Sequence, residues 1–128
     1  MQNLSKVIKG LNIKKQKIKP MILNKTTNEL INVKITCADN FLKRFKGLMG
    51  KKDIDFAMIF SNLKDSSIHT SFMRLEIDVY FLDENGIVFE KVSLKPWKFY
   101  RPKKHAKYIL EAKKDSLNIK KGDELEFV

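Results

Sequence analysis

Residues 68–94 read IHTSFMRLEIDVYFLDENGIVFEKVSL, and this stretch decides the fold class. Ile77, Val79 and Phe81 alternate with Asp78, Tyr80 and Leu82, the period of two that marks a β-strand. Residues 68–83 together carry the longest strand signal of the chain. Asp83-Glu84-Asn85-Gly86 then supplies an Asn-Gly pair, suited to the positive backbone angles of a tight hairpin, and IVFEKVSL returns as the partner strand.

Working outward, MILNKTTNELINVKIT (residues 21–36) places two apolar runs around Thr26-Thr27-Asn28 and reads as another hairpin. Asp39 is placed to cap a helix of about two turns over NFLKRFKGLM, with Phe41, Leu42 and Phe45 on one face and Gly47 and Gly50 as stops. FAMIF (56–60) suits a buried strand. On the C-terminal side, YILEA (108–112) is a strand candidate, a helical turn is expected around 113–117, and a Gly-Asp turn leads into the strand ELEF. The expected fold is mainly β (α+β): a small antiparallel sandwich or barrel with one or two short helices.

Composition bounds the rest. The chain has 128 residues, 43% of them hydrophobic with nine Phe, enough for a core and too apolar for a wholly disordered chain. The net charge of +11 is unevenly placed, because residues 1–20 hold six lysines and no acid. We therefore expect a lysine-rich extension over 1–20, closed by Pro20, and one β-rich domain over 21–128. The extension has no apolar run of the ~7–15 residues a secretory signal requires. Nor does any stretch approach the ~20 apolar residues of a membrane span, so cytoplasmic residence is the expectation. Cys37, the single cysteine, excludes an internal disulfide and a multi-thiolate metal site. His69 and His105 are far apart and form no metal-binding motif; no metal or cofactor is expected.

Several separate motifs occur in an order that resembles one family: FLKRFKGLMGKKDI, FAMIF, IHTSFMRLEIDVYFLDENGIV, LKPWKFY, AKYILEA and IKKGDELEF. Together they cover about residues 33–127 and resemble the archaeal form of the domain of unknown function 192. The resemblance implies a compact, predominantly β fold and no established activity. Some relatives carry a secretory signal or anchor where this chain has lysines. The family stretch similar to ILEAKKDSLNIKKGD normally has a glycine where this chain has Lys113 or Lys114, so a differently shaped turn is expected. The resemblance includes the KPW portion in relatives without such strong positive charge, which implies a structural or pocket role for Trp97.

Asp78 stands in an apolar strand, and a buried carboxylate needs a partner; Arg44 and Arg74 are the guanidinium candidates. His69 lies nine residues from Asp78, an odd separation that puts the two on opposite sides of a straight strand. A triad of His69, Ser71 and Asp78 lacks the nucleophile-elbow motif G-x-S-x-G. Residues 91–107 hold Lys91, Lys95, Lys98, Arg101, Lys103, Lys104 and Lys107 with no acid, interleaved with Trp97, Phe99 and Tyr100. Cations hold phosphates and aromatic faces stack bases, so this mixture suits nucleic acid or a phosphorylated ligand.

The leading expectation is a non-catalytic binding or accessory domain. Its small-ligand or partner site would lie near the central strand and the Trp97 loop, with Arg44, His69, Arg74, Asp78, Lys95 and Trp97 as contacts. The alternative is a nucleic-acid-associated protein using Lys98, Tyr100, Arg101, Lys103 and Lys104 with the lysine extension. A third reading, an enzyme, requires Asp78 or His69 in a cleft.

Overall fold

The hairpin signals become ten strands in a computed structural model, which describes residues 21–38, 48–61 and 64–128. The strands are β1 (Ile22–Asn24), β2 (Glu29–Ile31), β3 (Lys34–Ala38), β4 (Phe56–Ser61) and β5 (Ile68–His69), followed by β6 (Ile77–Leu82), β7 (Val88–Leu94), β8 (Phe99–Tyr100), β9 (Tyr108–Lys113) and β10 (Leu125–Phe127). They pair into a three-stranded sheet, β10-β1-β2, a five-stranded sheet, β3-β4-β9-β6-β7, and a two-stranded ribbon, β5-β8.

The β6–β7 hairpin forms as its sequence demands. Asp83 Oδ1 accepts the amides of Asn85 and Ile87, and Gly86 takes a φ of 79°. The first hairpin pairs Ile22 with Ile31 and Asn24 with Glu29. Asn24 Oδ1 holds its turn by accepting the amides of Thr26 and Thr27, and Asn28 adopts the left-handed conformation that asparagine tolerates.

The five-stranded sheet is the middle layer. All six residues of β6 are buried, so the strand is covered on both faces. Tyr80 and Leu82 join Tyr108, Leu110 and Ala112 of β9 against Ile22, Leu125 and Phe127 of the three-stranded sheet. Ile77, Val79 and Phe81 turn the other way, into a core with Leu48, Ile68, Met73, Leu75 and Ile109. Each face is ordinary strand alternation; double coverage makes the whole segment read as apolar.

Three expectations change. The sheet is mixed, since β3 runs parallel to β4 while its other pairs are antiparallel. The connection over 39–55 is long enough for the crossover that a parallel pair requires. The strand expected over 68–83 is two strands: residues 70–76 leave the sheet, with Met73 N donating to Thr70 O and Phe72 at a φ of 65°. Residues 113–117 form a tight turn in place of a helical one. Its left-handed position is Asp115, φ 60°, an aspartate where glycine is the usual choice. The helix expected after Asp39 falls largely outside the described residues, as do the lysine-rich extension and Arg44. No helix of the described residues is long and apolar enough to cross a membrane.

Candidate binding surface

The β5–β8 ribbon lies over the second core. Ile68 pairs with Tyr100 and His69 with Phe99. Ile68 is buried in that core and Tyr100 packs against it, with its ring 5.9 Å from that of Phe81. By alternation, the His69–Phe99 pair occupies the outer side, where His69 is half-buried and Phe99 exposed.

Immediately after His69 the chain is knotted to the loop before β8 through one residue, Thr70, which has no exposed surface. Its hydroxyl donates to Lys95 O at 2.6 Å and accepts the Lys98 amide at 2.8 Å. Its own amide donates to Lys98 O, and its carbonyl accepts the amides of Trp97 and Met73. Polar backbone groups under a loop must find partners, and here a single buried threonine supplies most of them.

Two large rings stand on this knot. Phe72 is 53% exposed and Trp97 63% exposed, with ring centroids 4.6 Å apart and planes tilted by 59°. Both residues occupy the left-handed backbone region, φ 65° and 64°. Bulky residues avoid this region, at a cost of about 1–2 kcal/mol each. The 48–51 turn closes against the same knuckle. Gly50, at φ 72°, donates its amide to Phe72 O, and the preceding Met49 is 46% exposed.

Lys95, Lys98, Arg74, Arg101, Lys103 and Lys104 are all exposed around these segments. Lys104 Nζ lies 4.7 Å from the Phe89 ring centre, a cation–π contact. Arg101 feels the exposed Asp65, whose carboxyl is held below its usual range chiefly by the amide and hydroxyl of Ser67 and more weakly by Arg101. Tyr100 turns inward and donates its hydroxyl to the buried Glu90, a bond that raises the tyrosine's pKa. Glu90 also accepts the Lys103 amide, so it fastens the stretch after β8.

Asp78 belongs to a different place. It alternates with Ile77 and Val79 and therefore faces the first core, away from the ribbon. Its Oδ1 accepts the hydroxyl of Ser93, its cross-strand partner, and its Oδ2 accepts the Asp115 amide at 2.9 Å. Both oxygens thus cap the β9 turn and the β6–β7 pair. His69 and Asp78 are not brought together. The structure does gather His69, Arg74, Lys95 and Trp97 on neighbouring segments. Among the described residues no three His, Cys, Asp or Glu side chains form a group that could hold a metal ion.

Sequence reasoning missed Thr70 and Phe72. One signal was available: the polar His69 and Ser71 share the phase of the apolar Met73, Leu75 and Ile77, so the alternation already breaks near Thr70. Nothing local marked the left-handed conformations.

Comparison with known proteins supplies a lineage. The chain is 41% identical over 112 residues to a UPF0127 protein of Pyrococcus furiosus, an overlap of 83% of this chain and 97% of that one. It is 39% identical to a UPF0127 protein of Thermococcus sibiricus, covering 84% of this chain and 74% of the relative. A crystal structure of a candidate transcription regulator from Sinorhizobium meliloti superposes with a TM-score of 0.72 at 18% identity, over 84% of this chain and 91% of the other, a likeness of fold alone. The sequence model of the domain of unknown function 192, described as an uncharacterized ACR, matches residues 22–127, and this chain belongs to that family.

Proposed function

We propose that the chain is a non-catalytic binding domain whose contact surface is the Phe72–Trp97 knuckle together with Arg74, Lys95 and Lys98 beside it. The observation that carries the reading is the pair of exposed, touching rings, each on a left-handed backbone and both anchored through Thr70. Glycine or asparagine would occupy these turns at lower cost, and a charged residue would serve solubility better. Strain kept at an exposed aromatic pair is accounted for by a partner that needs rigid rings. His69 and Phe99 extend the surface along the outer side of the ribbon. Asp78 has no part in it, because its two oxygens serve the fold.

The partner carries negative charge, since residues 91–107 offer seven cations and no acid. The test is amide chemical-shift mapping on the ¹⁵N-labelled full chain with three probes: a dodecauridylate, phosphatidylserine-containing vesicles and polyglutamate. The expected result is that at least one probe shifts amides centred on residues 69–74 and 95–101. Shifts centred elsewhere for every probe that binds, or no binding by any of the three, would overturn the reading.

A further inference from the structure

Resting on that binding surface, we infer that its occupant is single-stranded nucleic acid, held by stacking of unpaired bases on Phe72, Trp97 and Phe99. Three exposed rings lie on segments joined by Thr70 and by the His69–Phe99 pairing. Among the described residues the remaining large exposed apolar side chains are Met49, next to Gly50, and Leu30 and Val128, which belong to β2 and the C-terminal end after β10. A surface built for a protein partner is depleted of lysine at its centre. Here lysine sits between the rings, in the order Lys95, Trp97, Lys98, Phe99, Arg101.

That interleaving matches a strand in which each unit presents one flat base and one phosphate. Stacking contributes about 1–3 kcal/mol per base and tolerates any sequence, because every base has a π face. The Phe72 and Trp97 rings are tilted by 59° rather than stacked face to face, and Trp97 and Phe99 are each 63% exposed. Bases within a duplex are already stacked, so exposed rings select unpaired ones. A peripheral membrane site would set its cations behind an apolar tip. Phe99 instead lies along a paired ribbon beside His69.

Among the described residues no carboxylate pairs with Lys95, Lys98 or Lys103, so these cations are available to phosphates. Arg101 is partly offset by Asp65, and Tyr100 is committed to Glu90. The strand would therefore be read by Phe72, Trp97 and Phe99 for bases and by Lys95, Lys98 and Lys103 for phosphates.

Trp97 is the chain's one tryptophan and reports its own contact. The full-length protein is titrated with dodecauridylate and with dodecathymidylate in low salt, following Trp97 emission and the anisotropy of a labelled strand. The expected result is quenching of Trp97 on binding. Affinity should fall with salt on a log–log slope of about −0.7 per neutralised phosphate. Phe72→Ala, Phe99→Ala and Trp97→Ala should each weaken binding by about 5- to 100-fold, as loss of one stacked base predicts, and Trp97→Phe should recover most of it. Replacing the six lysines of residues 1–20 by glutamine should weaken binding and leave the quenching intact.

Oligonucleotide binding without quenching, unchanged in Phe72→Ala and Phe99→Ala, would overturn the inference. So would perturbation of Trp97 by phosphatidylserine vesicles or polyglutamate with no response to either strand, although the binding surface would then stand. Silence towards all the probes would remove both.

Discussion

Asp78 on β6 and Trp97 in the loop before β8 are each the odd residue of their surroundings, a carboxylate in an apolar strand and a large ring in solvent. Their energetics run in opposite directions. Asp78 is 1% exposed, and both of its oxygens receive hydrogen bonds that lock the β9 turn and the β6–β7 pair. Trp97 is mostly exposed and stands on a backbone conformation that costs stability. A polar group buried with its partners complete is accounted for by the fold. A ring held out at a cost is not.

The contrast can be broken at four places. The largest effect is expected for Asp78→Ala, which removes two hydrogen bonds to a buried carboxyl and should destabilise the protein by about 3 kcal/mol in urea unfolding. An unfolding free energy unchanged from wild type would contradict the capping role. Next comes Thr70→Val, close in shape but unable to bond Lys95 O or the Lys98 amide; about 1.5 kcal/mol should be lost. The fluorescence anisotropy of Trp97 should fall in this variant as the knuckle loosens, and a rigid Trp97 would show that Thr70 is not its anchor.

Trp97→Asn removes the exposed ring and its strain together. Relief of the left-handed strain, about 1 kcal/mol, should offset the lost ring contact with Phe72, about 0.5–1.5 kcal/mol. Thermal unfolding should therefore match wild type to within about 0.5 kcal/mol while oligonucleotide binding drops. A large destabilisation would reassign Trp97 to the fold.

The smallest effect at neutral pH is expected for Tyr80→Phe. The Tyr80 hydroxyl is buried and has no hydrogen-bond partner among the described residues. Burial, and then the charges of Asp78 and Asp115, push its pKa above the usual phenol value near 10. A raised folded-state value means that stability is intact below about pH 10 and declines as pH rises beyond it, because the unfolded phenol ionises first. Tyr80→Phe should thus be neutral at pH 7 and unfold less readily above pH 10, measured by circular dichroism against wild type.

Local chemistry made much of the fold legible. Asn85-Gly86 and Asn28 dictate their turns through backbone angles that few residues accept, and the alternation of residues 77–82 requires a strand whatever surrounds it. The basic, aromatic character of residues 91–107 was equally plain. The break after His69 was harder to read, because a threonine is at home in any strand. Tyr100 read as an exposed stacking ring until its β8 position turned it towards Phe81 and Glu90.

The β class, the hairpins at 22–31 and 77–94 and a cation-rich aromatic segment are thus written in local residue patterns. Long-range packing alone settled that β6 is covered on both faces, that β3 lies parallel to β4, and that His69 belongs to a ribbon separate from the sheet of Asp78. It also decided that Phe72 and Trp97 meet. The physical reason is range: side-chain period and turn preference act within a few residues, whereas the Thr70 hydroxyl finds its partners 25 and 28 residues further along the chain.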